Sequence, residues 1–488
     1  VAMRTGEIVT IAVYFALMLG IGVYAWRKST SDIDGYMLGG RSLGPAVTAL
    51  SAGASDMSGW LMLGLPGAMF ATGLSATWIA VGLTVGAYLN WRIVAPRLRA
   101  QTVSVGDALT IPDFLGKRFG AGGDPLRVIA SAVIILFFTV YTASGLVAGG
   151  KLFESAFGQP YAFGVWLTAG VVVAYTLFGG FLAVSLTDFV QGVIMFVAMV
   201  LVPVVALDLA GGWDASVAAV RSVDPARLDL FRDASLLGVI SALAWGLGYF
   251  GQPHIIVRFM AIRSVDDLPV ARRIGMGWMI VSLVGALGVG FAGLAYATRN
   301  GIAVADPETI FILLSRLLFS SWIAGFLLAA ILAAIMSTIS SQLLVVSSSI
   351  TEDYYRRFLR RDASQRELVR AGRLSVLAVA LVAIALASDP SSSVLDIVAN
   401  AWAGFGAAFG PAILLSLTWP RMTRNGALAG IVVGALVVIG WIALGWSGWL
   451  YEIVPGFIAS TVAILLVSRA GIASPVERSR SSAIPATD

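Results

Sequence analysis

The stretch from Ala46 to Phe70, AVTALSAGASDMSGWLMLGLPGAMF, is long enough to cross a bilayer and carries one charge, Asp56, near its middle. Gly53, Ser55, Ser58, Gly59, Gly64, Pro66 and Gly67 crowd around that carboxylate, a poor recipe for a continuous helix. An aspartate at membrane depth costs roughly 2.5–3.5 kcal/mol on insertion scales and usually marks an ion or solute path. Loosened backbone at that depth is tolerated only where it faces protein or a wet cavity. Together these features predict a cation site at a helix break. The competing reading is an aspartate locked onto a structural arginine.

Apolar residues make up 58% of the chain and charged residues 12%, about half the charged share of soluble domains. This is the composition of an all-α polytopic membrane protein. Zero cysteines exclude disulfides and thiolate chemistry, and the single histidine, His254, rules out multi-histidine zinc sites. No enzymatic nucleophile motif stands out. Apolar runs predict thirteen spans, near 7–26, 46–70, 74–95, 124–150, 161–180, 187–209, 235–257, 274–298, 311–336, 372–388, 395–418, 426–446 and 450–468. The first reads as a retained span, too long for a cleaved signal peptide.

Most of the 32 Lys and Arg residues fall at alternate span ends that would share one side. Arg258, Arg263, Arg272 and Arg273 form one such group. This pattern predicts an outside N-terminus and a cytoplasmic C-terminus in a cell (inner) membrane. The run YYRRFLRR (354–361) then reads as a cytoplasmic anchor rather than a nucleic-acid surface, so the lipid bilayer is the expected partner and nucleic acid is not. The loop 210–234 is expected outside, and the Ser-rich tail 469–488 cytoplasmic and disordered.

A second interrupted span, LLGVISALAWGLGYFGQPHIIV (236–257), has Gly246, Gly248, Gly251 and Pro253 at its centre. Paired Gly/Pro-broken spans at matching places point to a transporter's central site. Five spans separate the two starts, which predicts a ten-helix core of two five-helix repeats, 46–209 and 235–418, inverted relative to each other because five is odd. A peripheral helix and loop (1–45) precede this core, and two peripheral helices (419–468) follow it.

Sodium is a hard cation that wants oxygen ligands, and an unwound segment from Ala54 to Met57 offers carbonyls. In LLAAILAAIMSTISSQLL, Ala334, Ser337 and Thr338 share one helix face, extended by Ser340 and Ser341. Taken alone, such hydroxyls bond back to the preceding turn. Asp188 reads either as a helix N-cap or as a further cation position beside Ser340 and Ser341. Trp60, Tyr141, Trp245 and Tyr249 offer aromatic walls, and half-helix N-termini suit a carboxylate. A zwitterion with a compact hydrocarbon body fits that combination, although aromatic residues also populate interfacial belts.

The chain resembles the sodium/solute symporter family from about Tyr36 to Phe457. The matching stretches are YMLGGRSLGP (36–45), SAGASDMSGWLMLGLPGA (51–68), LTIPDFLGKRFG (109–120), GGFLAVSLTDFVQ (179–191), WGLGYFGQPH (245–254), LAAIMSTISSQLL (332–344), SSSITEDYYRRF (347–358) and WAGFGAAFGP (402–411). SDMSGW and WGLGYFGQPH are the stretches more particular to its proline-transporting branch. The resemblance implies a ten-helix inverted-repeat core of the amino-acid/sodium transporter type. It also implies a sodium ion held by Ala54, Met57, Ala334, Ser337 and Thr338, with Asp56 and Ser58 in support. A second sodium would lie at Asp188, Ser340 and Ser341. L-Proline would sit against Trp60, Tyr141, Trp245, Tyr249 and Gly59, with Pro253 shaping the second break.

The expected activity is sodium-coupled secondary uptake of L-proline by alternating access. The alternatives are a sodium or proton symporter of another small solute, such as a different amino acid, pantothenate or a sugar, and a transporter-like membrane sensor.

Overall fold

The computed structural model describes residues 4–28, 32–120, 124–232, 235–390 and 393–471, so most of the expected disordered tail lies outside the described residues. Its first half contains α1 (Thr5–Lys28), α2 (Ile33–Leu38), α3 (Pro45–Asp56), α4 (Leu65–Thr72), α5 (Thr77–Leu89), α6 (Ala95–Ser104), α7 (Ile111–Arg118), α8 (Asp124–Phe157), α9 (Tyr161–Leu209) and α10 (Gly212–Val223). Its second half contains α11 (Leu236–Leu243), α12 (Pro253–Ala261), α13 (Leu268–Arg299), α14 (Ile310–Leu318), α15 (Ser321–Ser348), α16 (Gln365–Leu386), α17 (Val394–Thr418), α18 (Arg424–Ala443) and α19 (Ile453–Ala470). Among the described residues the only β-type contact is a parallel bridge between Leu43 and Ile262.

Several helices start where the sequence supplies a short oxygen-bearing side chain. Thr110, Ser235, Ser364, Ser393 and Thr423 each accept the backbone N–H three residues on. Ten helical stretches among the described residues are long and apolar enough to cross a membrane, against the thirteen spans expected. The difference has structural causes. The 49-residue α9 covers two expected spans and bends at Gly180, whose φ of 56° and ψ of −147° suit glycine. Trp60–Ser104 likewise forms one stretch across two expected spans, and the second interrupted span splits into pieces too short to count.

α15 forms the centre of the bundle: 89% of its most apolar window is buried, against 28% for α1 and for α19. It packs on α9, α1, α8 and α3. The outer face exposes Val13, Trp166, Val204, Leu374, Leu436 and Leu466, as a lipid-facing surface requires. The second interrupted segment is held against α5 by close backbone contact. A Cβ on Gly86 would lie 2.1 Å from the Gly246 carbonyl oxygen, and one on Gly246 would lie 2.1 Å from that of Gly82. Only glycine lets α5 and residues 244–251 approach this closely.

One charge assignment is corrected by the fold. Arg258, expected among basic loop residues, has no exposed surface and lies on α12 inside the bundle. The seventh apolar run was expected to end near 257, but its helix continues to Ala261 and carries Arg258 inward.

Candidate functional site

The first break follows from how α3 ends. Asp56 is its last residue, and Met57 leaves helical geometry at φ −77° and ψ 79°. The Met57 N–H still donates to the Gly53 carbonyl at 2.9 Å, and the Ser58 N–H donates to that of Asp56 at 2.9 Å. The Trp60 indole Nε1 caps the same Asp56 carbonyl at 3.1 Å. The chain resumes through a widened turn over Trp60–Gly64, in which the Leu65 N–H reaches back to the Trp60 carbonyl. Pro66 then falls in the first turn of α4, where its missing N–H does least harm.

This geometry gathers oxygens from α3 and α15. The Ser337 hydroxyl donates to the Ala54 carbonyl at 2.6 Å and lies 3.1 Å from the Ala334 carbonyl. Thr338 Oγ1 lies 3.3 Å from that same carbonyl. Two peptide oxygens and two hydroxyls thus meet in a buried setting, a donor set suited to a hard monovalent cation.

The second break runs from Ala244 to Gly251 as a tight 3-10 coil. Gln252 then turns extended, at φ −86° and ψ 102°, and Pro253 opens α12. The two breaks touch, because the Tyr249 hydroxyl donates to Asp56 Oδ2. Trp402 of α17 props the coil: its Nε1 donates to the Trp245 carbonyl at 2.7 Å, and its ring meets Tyr249 edge-on at 5.1 Å. The Gln252 amide returns a bond to the Trp402 carbonyl at 3.2 Å.

Two cavities flank the breaks. One is lined by Asp56, Met57, Asn90, Trp91 and Tyr249 among others. Asp56 Oδ1 and Asn90 Oδ1 are both buried without a hydrogen-bond partner. The other is lined by Thr110, Phe181, Pro253, Val257 and Ser348 among others. The expected solute residues therefore separate: Tyr249 lies on the first cavity and Pro253 on the second. Trp245 stacks on Tyr451 at 5.4 Å, and Tyr141 packs edge-on to His254 at 6.0 Å. A Cβ on Gly59 would come within 3.0 Å of Ala148 on α8, which makes Gly59 a packing position.

Asp188 sits within α9, eight residues beyond the Gly180 bend, and is not a helix N-cap. Its Oδ2 accepts from Ser51 Oγ at 2.8 Å and from Arg258 Nη2 at 3.2 Å, with Ser341 Oγ at 3.5 Å. Of these two carboxylates, Asp188 is therefore the one locked onto an arginine, and Asp56 bonds to a tyrosine. Ser340 does not join this group through its hydroxyl, which donates to the Ser337 carbonyl at 3.0 Å. Sequence reasoning missed Ser51, Asn90, Gln252, Arg258 and Trp402. Trp402 and Gln252 lie in two of the motif stretches, but nothing in their spacing revealed that they face each other.

A bundle built around two touching helix breaks, with a carboxylate at one and an oxygen cluster beside it, is the architecture of a membrane transporter of small solutes. The profile of the Sodium:solute symporter family matches residues 36–434, and the chain belongs to that family. It is 60% identical over 451 residues to the high-affinity proline transporter PutP of Bacillus subtilis (strain 168), covering 92% of this chain and 95% of that one. It is 54% identical over 471 residues to the sodium/proline symporter of Staphylococcus aureus (strain JH9), covering 94% and 92%. A solved Na+-coupled sialic acid symporter, described in a substrate-bound outward-open state with a novel Na+ site, superimposes with a TM-score of 0.81 over 96% of this chain and 99% of its own. At 18% identity, that likeness concerns the fold.

Proposed function

We propose that this chain takes up L-proline across the inner membrane, coupled to inward sodium flow by alternating access. The observation that carries this reading is the pairing of the Ala54, Ala334, Ser337 and Thr338 oxygens with an adjacent Tyr249–Asp56 contact between the two breaks. Two relatives above 50% identity, a high-affinity proline transporter and a sodium/proline symporter, support proline as the solute, and the second supports sodium.

In this reading sodium binds the Ala54, Met57 and Ala334 carbonyls with the Ser337 and Thr338 hydroxyls, while Asp56 and Ser58 support the break. Proline lies beside it, against Tyr249, Tyr141, Trp60 and Trp245, with Gly59 and Pro253 shaping the segments. Bound sodium pins α3 to α15 and completes the proline site, so each ligand favours the state that the other prefers. One charge across 100 mV supplies about 2.3 kcal/mol and a tenfold sodium gradient about 1.4 kcal/mol, enough together for about 500-fold accumulation.

The same reading carries thirteen crossings and two inverted five-helix repeats, 46–209 and 235–418, with one peripheral helix before and two after. The Gly180 bend, which falls between the two apolar runs that α9 covers, supports this count. The N-terminus lies outside, so α7 and residues 349–361 face the cytoplasm. The test is labelled proline uptake into liposomes holding the purified chain, with an imposed sodium gradient. Uptake should rise with sodium and fail with potassium in its place. Sodium-independent uptake would favour a proton-driven transporter, and uptake that other solutes suppress better than proline would reassign the solute.

A further inference from the structure

The group around Asp188 has the donors of a cation site and already contains a cation. Asp188, Ser51, Ser341 and Arg258 come from α9, α3, α15 and α12, and all four are fully buried. The guanidinium is held on every side. Nε donates to Ser51 Oγ at 3.1 Å, Nη1 to the His254 carbonyl at 2.5 Å, and Nη2 to Ser341 Oγ at 2.6 Å and to Asp188 Oδ2 at 3.2 Å. The Phe181 ring lies 5.2 Å from its central carbon. We infer that Arg258 is a tethered cation in the position expected of a second sodium, so that one sodium accompanies each proline.

Charge and geometry carry the argument together. A buried carboxylate needs one compensating positive charge, and a fork-shaped guanidinium with several bonded N–H groups supplies it. A sodium ion added here would meet that charge at close range in a site without water contact, while Asp188 has already spent its attraction on Arg258. The hydroxyls of Ser51 and Ser341 each accept one bond from the guanidinium and point their own protons elsewhere, so one lone pair of each is engaged as well. Only Asp188 Oδ1 lacks a hydrogen-bond partner. If Arg258 were removed, that oxygen, Oδ2 and both hydroxyls would become available to a mobile ion. The residues therefore do not fit a second sodium while Arg258 is present.

The inference rests on the sodium and proline reading above, and its test separates the two. The purified full-length chain is titrated with sodium at equilibrium in detergent, and the charge moved per proline is measured in liposomes. The unaltered chain should bind one sodium with a Hill coefficient of about 1 and move about one charge per proline. Arg258→Met should bind a second sodium, with a Hill coefficient rising toward about 2, and adding Asp188→Asn should return the count to one. Arg258→Lys, which keeps the tethered charge, should bind one. Two sodium ions per chain in the unaltered protein would overturn the inference while leaving sodium-coupled proline uptake intact. So would an Arg258→Met chain that folds and still binds one. Loss of all sodium coupling in the unaltered protein would instead overturn the functional reading.

Discussion

The Tyr249 hydroxyl donates to Oδ2 of Asp56, and that single contact joins two helix breaks whose residues lie 193 positions apart in sequence. Each residue also makes a contact to a tryptophan. The Tyr249 ring is held edge-on by Trp402, and the Asp56 carbonyl is capped by the Trp60 indole. The second carboxylate oxygen remains unpartnered beside a cavity, where it could take up a ligand.

Tyr249→Phe keeps the ring and its contact with Trp402 but removes the donor. A hydrogen bond to a charged group is worth about 1.5–3 kcal/mol, so the proline concentration for half-maximal uptake should rise about tenfold or more. Sodium binding, measured without proline, should change less. Asp56→Asn should abolish sodium-stimulated uptake, and normal uptake with normal sodium affinity in that variant would contradict the site.

Ser337→Ala removes the hydroxyl that bridges α15 to the Ala54 carbonyl, and Thr338→Ala removes its neighbour. Each should raise the sodium concentration for half-maximal uptake about tenfold, equivalent to about 1.4 kcal/mol, with the protein still present in the membrane. A change in proline affinity at saturating sodium, with no change in sodium requirement, would place these hydroxyls outside the cation site.

The breaks were legible because their signals are local. Asp56 among glycines, and Gly251 with Pro253 in an apolar run, violate the composition of an ordinary span. The hydroxyl face of α15 was legible from helical periodicity. Arg258 was not: basic residues near span ends belong in loops on average, and only the inward course of α12 places this one in the core. Its pairing with Asp188 joins residues 70 positions apart, and no sequence period carries that information. The span count suffered for a related reason. The Gly180 bend leaves α9 helical on both sides, so one long helical run covers what hydropathy reads as two crossings.

Gly86→Ala and Gly246→Ala test the packing of the second break. Each added methyl carbon would fall 2.1 Å from a carbonyl oxygen of the facing segment, well inside contact distance. Both variants should lose heat stability, read as a lower unfolding temperature in detergent. Gly20→Ala, where an added Cβ has no neighbour within 4 Å, should behave as the parent chain does. Equal stability of all three would mean that α5 and residues 244–251 do not pack so closely.

Arg127 should hold the proposed cytoplasmic end closed. Its Nε donates to Asp353 Oδ1 at 2.6 Å, and Nη1 lies 3.0 Å from Asp113 Oδ1. Thr110 and Ser131 also donate to Asp353, at 3.2 and 2.9 Å. This knot joins α7 and α8 to residues 349–359, the wider helical turns that follow α15, and Thr110 itself lines the cavity that reaches Pro253 and Ser348. Breaking it should shift population toward a state open on that side, and about 1.4 kcal/mol of lost closure is a tenfold shift. The chain has no cysteine, so Ser348→Cys introduces a unique thiol at a position only 6% exposed. In inside-out vesicles, Arg127→Gln or Asp353→Asn should speed its labelling by a membrane-impermeant maleimide about tenfold. Unchanged labelling in both variants would mean that the knot is a structural fastening and that the cavity opens elsewhere.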